Sequence, residues 1–520
     1  MTKTRFTSSS DPDLPSPTEE RGPPKGPPRR SPTRRRSSSV PPPRETTTNI
    51  LTEPEPPKLH EVPRRSPFGA LLSRTLPKYT GPHEVGVCDI EVPIARQTFG
   101  TFTHKKMPDA KAGIAIDTVM FSLFYPCEHQ EKPKPVVWFP KLSQTIDGFL
   151  KMAKRTPNIW YRMVAYPTAA AAIHGTTFPA AKEAPLKTPP SSPVPGSLHY
   201  DGKWPLMLFS HGVGCSRLMY SAFCGEMASR GFVVAVLEHR DGTSPSSTIV
   251  AADGTKTTVD WVQWSDLYWP NLPEQPTDDT ILRHEQIKCR IAELENVVDV
   301  MQRVSRGEKL NDTNGYKVPN LDWTRFQAVD AAKPVMAGHS LGGSAALAAS
   351  SKGSIDFRAV VVFDPAVQRL APWKSPLPHP LLVVNSEEFT VGREYAIFSE
   401  QMAHTVTTEL QVYSIGGATH PSFSDVFLIL PTAINKLTGL TCPAPSVIHK
   451  AVRATTEFLS GPGGHGGRVT YDEEFRDEDD RRYKIKVRGG KKHNEEEGEE
   501  KGGKLYRPVG RPGELAWHRL

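Results

Sequence analysis

Ser340 stands in the run "KPVMAGHSLGGSAALAA" (333–349), with a glycine two places away on either side. The apolar stretch before it reads as a buried strand and the alanine-rich stretch after it as a helix. G-x-S-x-G therefore falls on a strand-to-helix turn, which projects the hydroxyl above the sheet. Gly338 and Gly342 let strand and helix approach with no Cβ between them. The helix that starts here offers unpaired N–H groups to a developing oxyanion. The chemistry this suits is acyl transfer through a covalent serine ester. The competing reading, a tight turn that merely contains a serine, needs no partner residues elsewhere.

A serine hydroxyl is a weak nucleophile unless a base takes its proton. In strand–helix hydrolases the chain order is nucleophile, acid, histidine, which leaves His379, His404, His420, His449 and histidines of the C-terminal tail. His420 lies in "SIGGATHPSF", a loop of small residues directly after the last strand expected in the body, and is the candidate base. His379 precedes a strand, His404 ends a helix and His449 begins one, places that suit packing or surface roles. The acid has contenders at two strand ends: Asp364 closes "RAVVVFD", and Glu387 and Glu388 follow "LLVVN". Either location can orient an imidazole, and spacing leaves the choice open. In "LFSHGVGCSRLMYS" (208–221) a Gly-rich loop follows another strand, so the Val213 N–H is expected to join that of Leu341 as an oxyanion hole.

These residues need a scaffold that brings strand ends together. Residues 82–126 contain extended stretches separated by turn residues, an antiparallel edge. From 204 onward, buried strands alternate with helices: "WPLMLFS", "GFVVAVL", "KPVMAG", "RAVVVFD", "HPLLVVN" and "LQVYSIG" are the strands. Ile287, Ile291, Leu294, Val298 and Met301 fall at helical spacing. Continuous apolar strands alternating with helices predict an α/β fold, a mostly parallel sheet covered on both faces. Ligands in such sheets sit beyond the carboxyl ends of the strands, where every candidate above falls.

The chain of 520 residues carries 51 prolines, and its net charge is +7. Residues 1–66 are rich in Pro, Ser and Arg, with 13 Lys and Arg against 8 Asp and Glu. Residues 461–520 are rich in Gly and in charge blocks such as "DEDDRR" and "NEEEGEE". Neither end offers enough apolar surface to offset ordering entropy, so both are expected to be disordered. The folded catalytic domain is then 67–460, with 138–200 as a cap or insert. That body is close to charge balance, which argues against nucleic acid as a partner. The six cysteines are scattered with no CxxC pair, fitting reduced thiols rather than a disulfide framework or a metal site. The start lacks an apolar signal core and no run of 18 apolar residues occurs, so a cytoplasmic protein is expected.

Taken in order, "LFSHGVGCSRLMYSAFCGEMASRGFVVAVLEHRDGTS", "LRHEQIKCRIAEL", "MAGHSLGGSAA", "VVVFDPAV", "PLLVVNSEEF" and "GGATHPSFSD" resemble the platelet-activating factor acetylhydrolases of the plasma and type II intracellular kind, members of the α/β-hydrolase superfamily. The likeness covers about 82–460. It implies that Asp364 is the triad acid beside Ser340 and His420, and that Val213 and Leu341 give the oxyanion donors. It also implies hydrolysis of short or oxidised sn-2 acyl esters of phospholipids without calcium or any other cofactor. The sequence departs from the family in having Leu341 where phenylalanine is frequent, and in a Pro-rich stretch at 177–195 that reads as an added loop.

Residues 138–167 combine Trp138, Phe149, Trp160 and Tyr161 with Lys151, Lys154, Arg155 and Arg162. Such a mixture suits either a cap packed over the pocket or a surface that rests on phospholipid. "EHRDGTS" (238–244) reads as an ion-paired turn. Arginines preceding Ser37–Ser39 suit a basophilic kinase. Other functions open to the same residues are a carboxylesterase of soluble esters and a catalytically silent scaffold.

Overall fold

The computed structural model describes residues 66–107, 113–192, 194–198, 202–250, 254–310, 318–370, 376–475 and 509–518. The arm through residue 65, with the kinase expectation at 37–39, lies outside them. Eleven strands form one sheet: β1 (Val85–Phe99), β2 (Ile114–Pro126), β3 (Ala181–Lys182), β4 (Trp204–Ser210), β5 (Val233–Leu237), β6 (Val329–His339), β7 (Ala359–Phe363), β8 (Leu381–Ser386), β9 (Leu410–Ile415), β10 (Glu473–Phe475) and β11 (Leu515–His518). Their spatial order is β10-β11-β9-β8-β7-β6-β4-β5-β2-β1-β3. The block from β5 to β9 is parallel throughout. β2 joins it antiparallel to β5, and β1 pairs antiparallel with β2. This is the expected α/β-hydrolase arrangement with its antiparallel N-terminal edge.

The central strands carry long apolar runs because both faces are covered, with polar residues such as Ser210, Asn385 and Ser386 at their carboxyl ends. On β8, Leu381 and Val383 face one core while Leu382 and Val384 face the other. The first core is closed by α4 (Thr280–Ser305), α5 (Leu341–Lys352) and α6 (Arg393–Thr405), the second by α3 (Ser221–Ser229) and α7 (Ala444–Leu459). In α4, Ile287, Ile291, Leu294, Val298 and Met301 all reach the first core, as their spacing predicts.

Two features depart from the sequence reading. The region 138–200 contributes not only the helices α1 (Leu142–Met152) and α2 (Ile159–Ile173) but also β3, which pairs with β1 at the sheet edge. The tail taken as disordered, 461–520, is seated on the body at 461–475 and 509–518. β11 lies antiparallel to β9, and β10 parallel to β11. The missing signal has a physical reason. "LAWH" is four residues long and sits in charged, Gly-rich surroundings, so its strand state is decided by the free edge of β9 rather than by any pattern of its own.

Candidate active site

The turn after β6 holds Ser340 at φ 57°, a left-handed backbone that a non-glycine residue adopts only under constraint. Its N–H donates to the Phe363 carbonyl at 3.0 Å and its carbonyl accepts from Ser344 N at 3.0 Å, which starts α5. The flanking glycines are needed for close approach. A Cβ at Gly338 would lie 2.3 Å from the Gly342 carbonyl oxygen, and one at Gly342 would lie 2.0 Å from that of Ser210.

Asp364 follows β7, is fully buried, and has φ 41°. Its Oδ1 accepts from Ser386 N and its Oδ2 from Ser386 Oγ, both at 2.6 Å. The remaining approach to Oδ2 is taken by His420 Nδ1 at 3.0 Å, and His420 Nε2 lies 3.0 Å from Ser340 Oγ. Side chains 56 and 80 positions apart in the chain thus form one continuous hydroxyl–imidazole–carboxylate line. Burial works against the imidazolium. The hydrogen bond and charge of Asp364, with Glu388 and Glu394 behind it, outweigh that and hold the His420 pKa above its ordinary value.

The two glutamates that competed with Asp364 on spacing hold the histidine's loop instead. Glu388 Oε2 accepts from His420 N at 2.8 Å, and Glu387 Oε2 accepts from Gly417 N at 2.7 Å. His379 packs, bonded to Ser350 Oγ at 2.7 Å. The side chain of His404 lies outside the described residues, and His449, on α7, lines a small cavity with Tyr79 and Glu226 that includes neither Ser340 nor Asp364.

The loop 211–214 reaches Ser340: a Cβ at Gly212 would be 3.2 Å from the Ser340 Cβ. Gly214 N is spent on the Thr243 carbonyl at 2.8 Å and Gly212 N on Tyr220 Oη at 3.1 Å. The Val213 N–H has no acceptor among the described residues, and Leu341, as the first residue of α5, has no intrahelical one. Two residues that sequence reasoning missed tie this loop to the base. Tyr220 Oη bonds His339 Nδ1 at 2.8 Å, and the His339 ring packs on His420 with centroids 4.7 Å apart. The position between glycine and serine in the motif was the available signal for His339. Nothing local marked Tyr220.

Beneath the loop lies a buried ionic network that bears out the ion-paired reading of 238–244. Asp241 pairs with Arg290 at 2.7 Å, and Arg290 Nη1 donates to the His211 carbonyl. His239 joins Ser210 Oγ at 2.7 Å to Glu293 at 2.5 Å. Burial raises Glu293 to about 8 and lowers His239. His239 and Asp241 are fully buried and act as floor, not pocket wall.

The 138–167 region divides. Trp138 is buried, and its Nε1 donates to Asp425 at 3.1 Å. Asp425 also accepts from Ser221 N, Ser221 Oγ and Ala222 N. α1 meets the loop 211–214 through its last residue, with the Met152 methyl 2.7 Å from where a Gly214 Cβ would be. α2 is capped by Asn158, whose Oδ1 accepts from Tyr161 N at 3.0 Å, and has no buried residue. A cavity of about 360 Å³ under the insert, lined by Trp138, Gln144, Arg217, Glu238 and Ser247, touches none of Ser340, Asp364 and His420. Among the described residues all six cysteines are free, and no helix is long and apolar enough to cross a membrane.

Comparison with known proteins points the same way. The profile of the family described as "Platelet-activating factor acetylhydrolase, isoform II" matches residues 69–462. The chain is 26% identical over 378 residues to platelet-activating factor acetylhydrolase of Gallus gallus, spanning 71% of this chain and 78% of that protein. It is 27% identical over 364 residues to the Canis lupus familiaris protein of the same name, spanning 67% and 68%. A putative phospholipase A2 of Schizosaccharomyces pombe is 26% identical over 242 residues, 45% of this chain and 49% of that one. With a profile running from ahead of β1 to beyond α7, and with Ser340, His420 and Asp364 in line at the strand ends, the chain belongs to the platelet-activating factor acetylhydrolase isoform II family and is an ester hydrolase of the α/β-hydrolase superfamily.

Proposed function

We propose that the chain is a serine esterase that removes short or oxidised sn-2 acyl groups from phospholipids. The observation that carries this reading is the pair of 3.0 Å contacts that His420 makes to Ser340 Oγ and Asp364 Oδ2. His420 Nε2 takes the Ser340 proton as Oγ attacks the ester carbonyl, while Asp364 fixes the tautomer and stabilises the imidazolium. The carbonyl oxygen becomes an oxyanion between the Val213 and Leu341 N–H groups, each donor contributing about 3 kcal/mol in sites of this kind. The imidazolium then protonates the departing lyso-lipid alkoxide. Water, deprotonated by the same nitrogen, releases the acid and restores Ser340.

The lipid part of the reading draws on α2. Ile159, Trp160, Met163 and Val164 are exposed, Trp160 at 73% and Val164 at 71%. Arg162 and Tyr166 fasten α2 to Asp147 of α1, the helix that meets the loop 211–214. An exposed apolar helix with Lys154 and Arg155 just ahead of it suits a phospholipid surface, and a cytoplasmic protein held peripherally to membranes is the matching location.

Hydrolysis of phosphatidylcholines of increasing sn-2 length, with Ser340→Ala as control, tests the proposal. Ser340-dependent release that is fastest for acetyl and oxidised chains is the expected result. Turnover of p-nitrophenyl esters with none of phospholipid would instead make the chain a carboxylesterase of soluble esters. Failure of a fluorophosphonate to label the folded protein would leave a silent scaffold.

A further inference from the structure

The loop Gly416–Thr419, which delivers His420 from β9, opens with two glycines, and Gly417 has φ 71°. Such a segment holds one shape only if its backbone is tied from outside. Two of those ties come from the far C-terminal segment. Gly416 N donates to the Glu514 carbonyl at 3.0 Å, and Gly513 N donates to the Gly416 carbonyl at 2.8 Å. The approach is close, since a Cβ at Gly416 would lie 2.5 Å from the Arg511 carbonyl oxygen and one at Gly417 would lie 3.2 Å from the Pro512 Cβ. Glu387 joins the two pieces, accepting from Gly417 N and from the backbone of Val509.

The segment is itself anchored. Leu515 and Ala516 are fully buried, and His518 bonds Tyr395 Oη at 2.6 Å and Ser414 Oγ at 2.7 Å. Leu515 N donates to Asp472 Oδ2 at 2.8 Å. All of these residues of the strap lie beyond 462, where the family match ends.

We infer that residues 509–518 are a strap which, through Glu387 and the Gly416 backbone, positions His420 against Ser340. This rests on His420 being the base of the proposed esterase. The strap touches no reacting atom. Its effect is to hold the imidazole where the proton is transferred, so its loss should lower kcat and leave substrate binding alone.

The test compares the full chain with a chain ending at Phe475, using p-nitrophenyl acetate turnover and amide hydrogen exchange. The expected result is a kcat lower by roughly ten- to a hundredfold with KM within about twofold, together with faster exchange at Gly416 and Gly417. A synthetic peptide of residues 509–520, added in trans, should restore kcat by re-pairing with β9. An unchanged kcat in the folded shortened chain, or a change in KM alone, overturns the proposal. If the shortened chain fails to fold, Glu387→Ala and Glu387→Gln in the full chain decide. The first should lose kcat at constant KM, and the second, which keeps an acceptor oxygen, should recover most of it. An unchanged kcat for Glu387→Ala is the contrary result. Failure of the esterase reading itself shows separately, as absence of Ser340-dependent turnover in the unaltered chain, and takes the strap's role with it.

Discussion

At Ser340 the left-handed backbone and the missing Cβ atoms on either side are one device: the hydroxyl stands clear of its own chain so that an imidazole can reach it. Replacing it by alanine should abolish turnover while leaving the fold intact, checked by activity and circular dichroism. Asp364→Asn should lower kcat by about 10⁴, because an amide cannot stabilise the imidazolium and favours the wrong tautomer. His420 must be neutral to accept a proton, and its pKa is raised. Activity on a soluble ester is therefore expected to rise with pH along one limb whose midpoint lies above 6.5, the ordinary histidine value. Glu388→Gln removes a charge that raises this pKa yet keeps an acceptor for His420 N, so the limb should move to lower pH. Stability follows the same shift. The contribution of His420 is full below its unfolded pKa and is lost as pH climbs through the folded one. The nucleophile was legible because G-x-S-x-G is local. Spacing alone leaves the acid open, because Asp364, Glu387 and Glu388 all sit at strand ends; the family resemblance points to Asp364, the carboxylate that lies 3.0 Å from His420 Nδ1.

The elements were legible where burial dictates sequence. β4, β5, β7 and β8 are continuous apolar runs because helices cover both faces, and each was readable from that alone. α5 must lie almost against β4, as Gly342 shows, so Gly342→Ala should destabilise by about 1–3 kcal/mol or more and lower the denaturant midpoint. Chemical unfolding of the variant checks this. The elements that escaped notice are those whose state is set by a neighbour. β3 is two residues on β1, and β11 is four residues on β9. In the insert, aromatic residues of the same type went opposite ways. Trp138 is drawn under the body by Asp425, whose carboxyl burial pushes up to about 7, while Trp160 stays in solvent. Sequence gives both tryptophans the same hydropathy, and only the presence of a buried acceptor distinguishes them.

Across the molecule as a whole, an exposed apolar helix, α2, is bolted through Asp147 to α1, the helix that meets the loop 211–214 beside Ser340. If α2 rests on lipid, changing Trp160 and Val164 together to serine should weaken binding to phosphatidylcholine vesicles at least tenfold, since each apolar side chain withdrawn from lipid forfeits about 1.5–3 kcal/mol. Turnover of a soluble ester should be untouched, and sedimentation with vesicles beside a p-nitrophenyl acetate assay separates the two. The long-range assembly of β9 and β11 bears on a different question, the order in which the molecule is made. Synthesis runs from the N-terminus, and domains fold as their parts emerge. Ser340, Asp364 and His420 leave the ribosome well before Leu515–His518, the last described residues to be translated. A nascent chain can therefore hold all three groups, with Glu387 and Glu388 already on the histidine's loop, before Gly513 and Glu514 arrive to tie Gly416. If the strap sets the imidazole, hydrolytic competence would be acquired late, after most of the sheet has already formed.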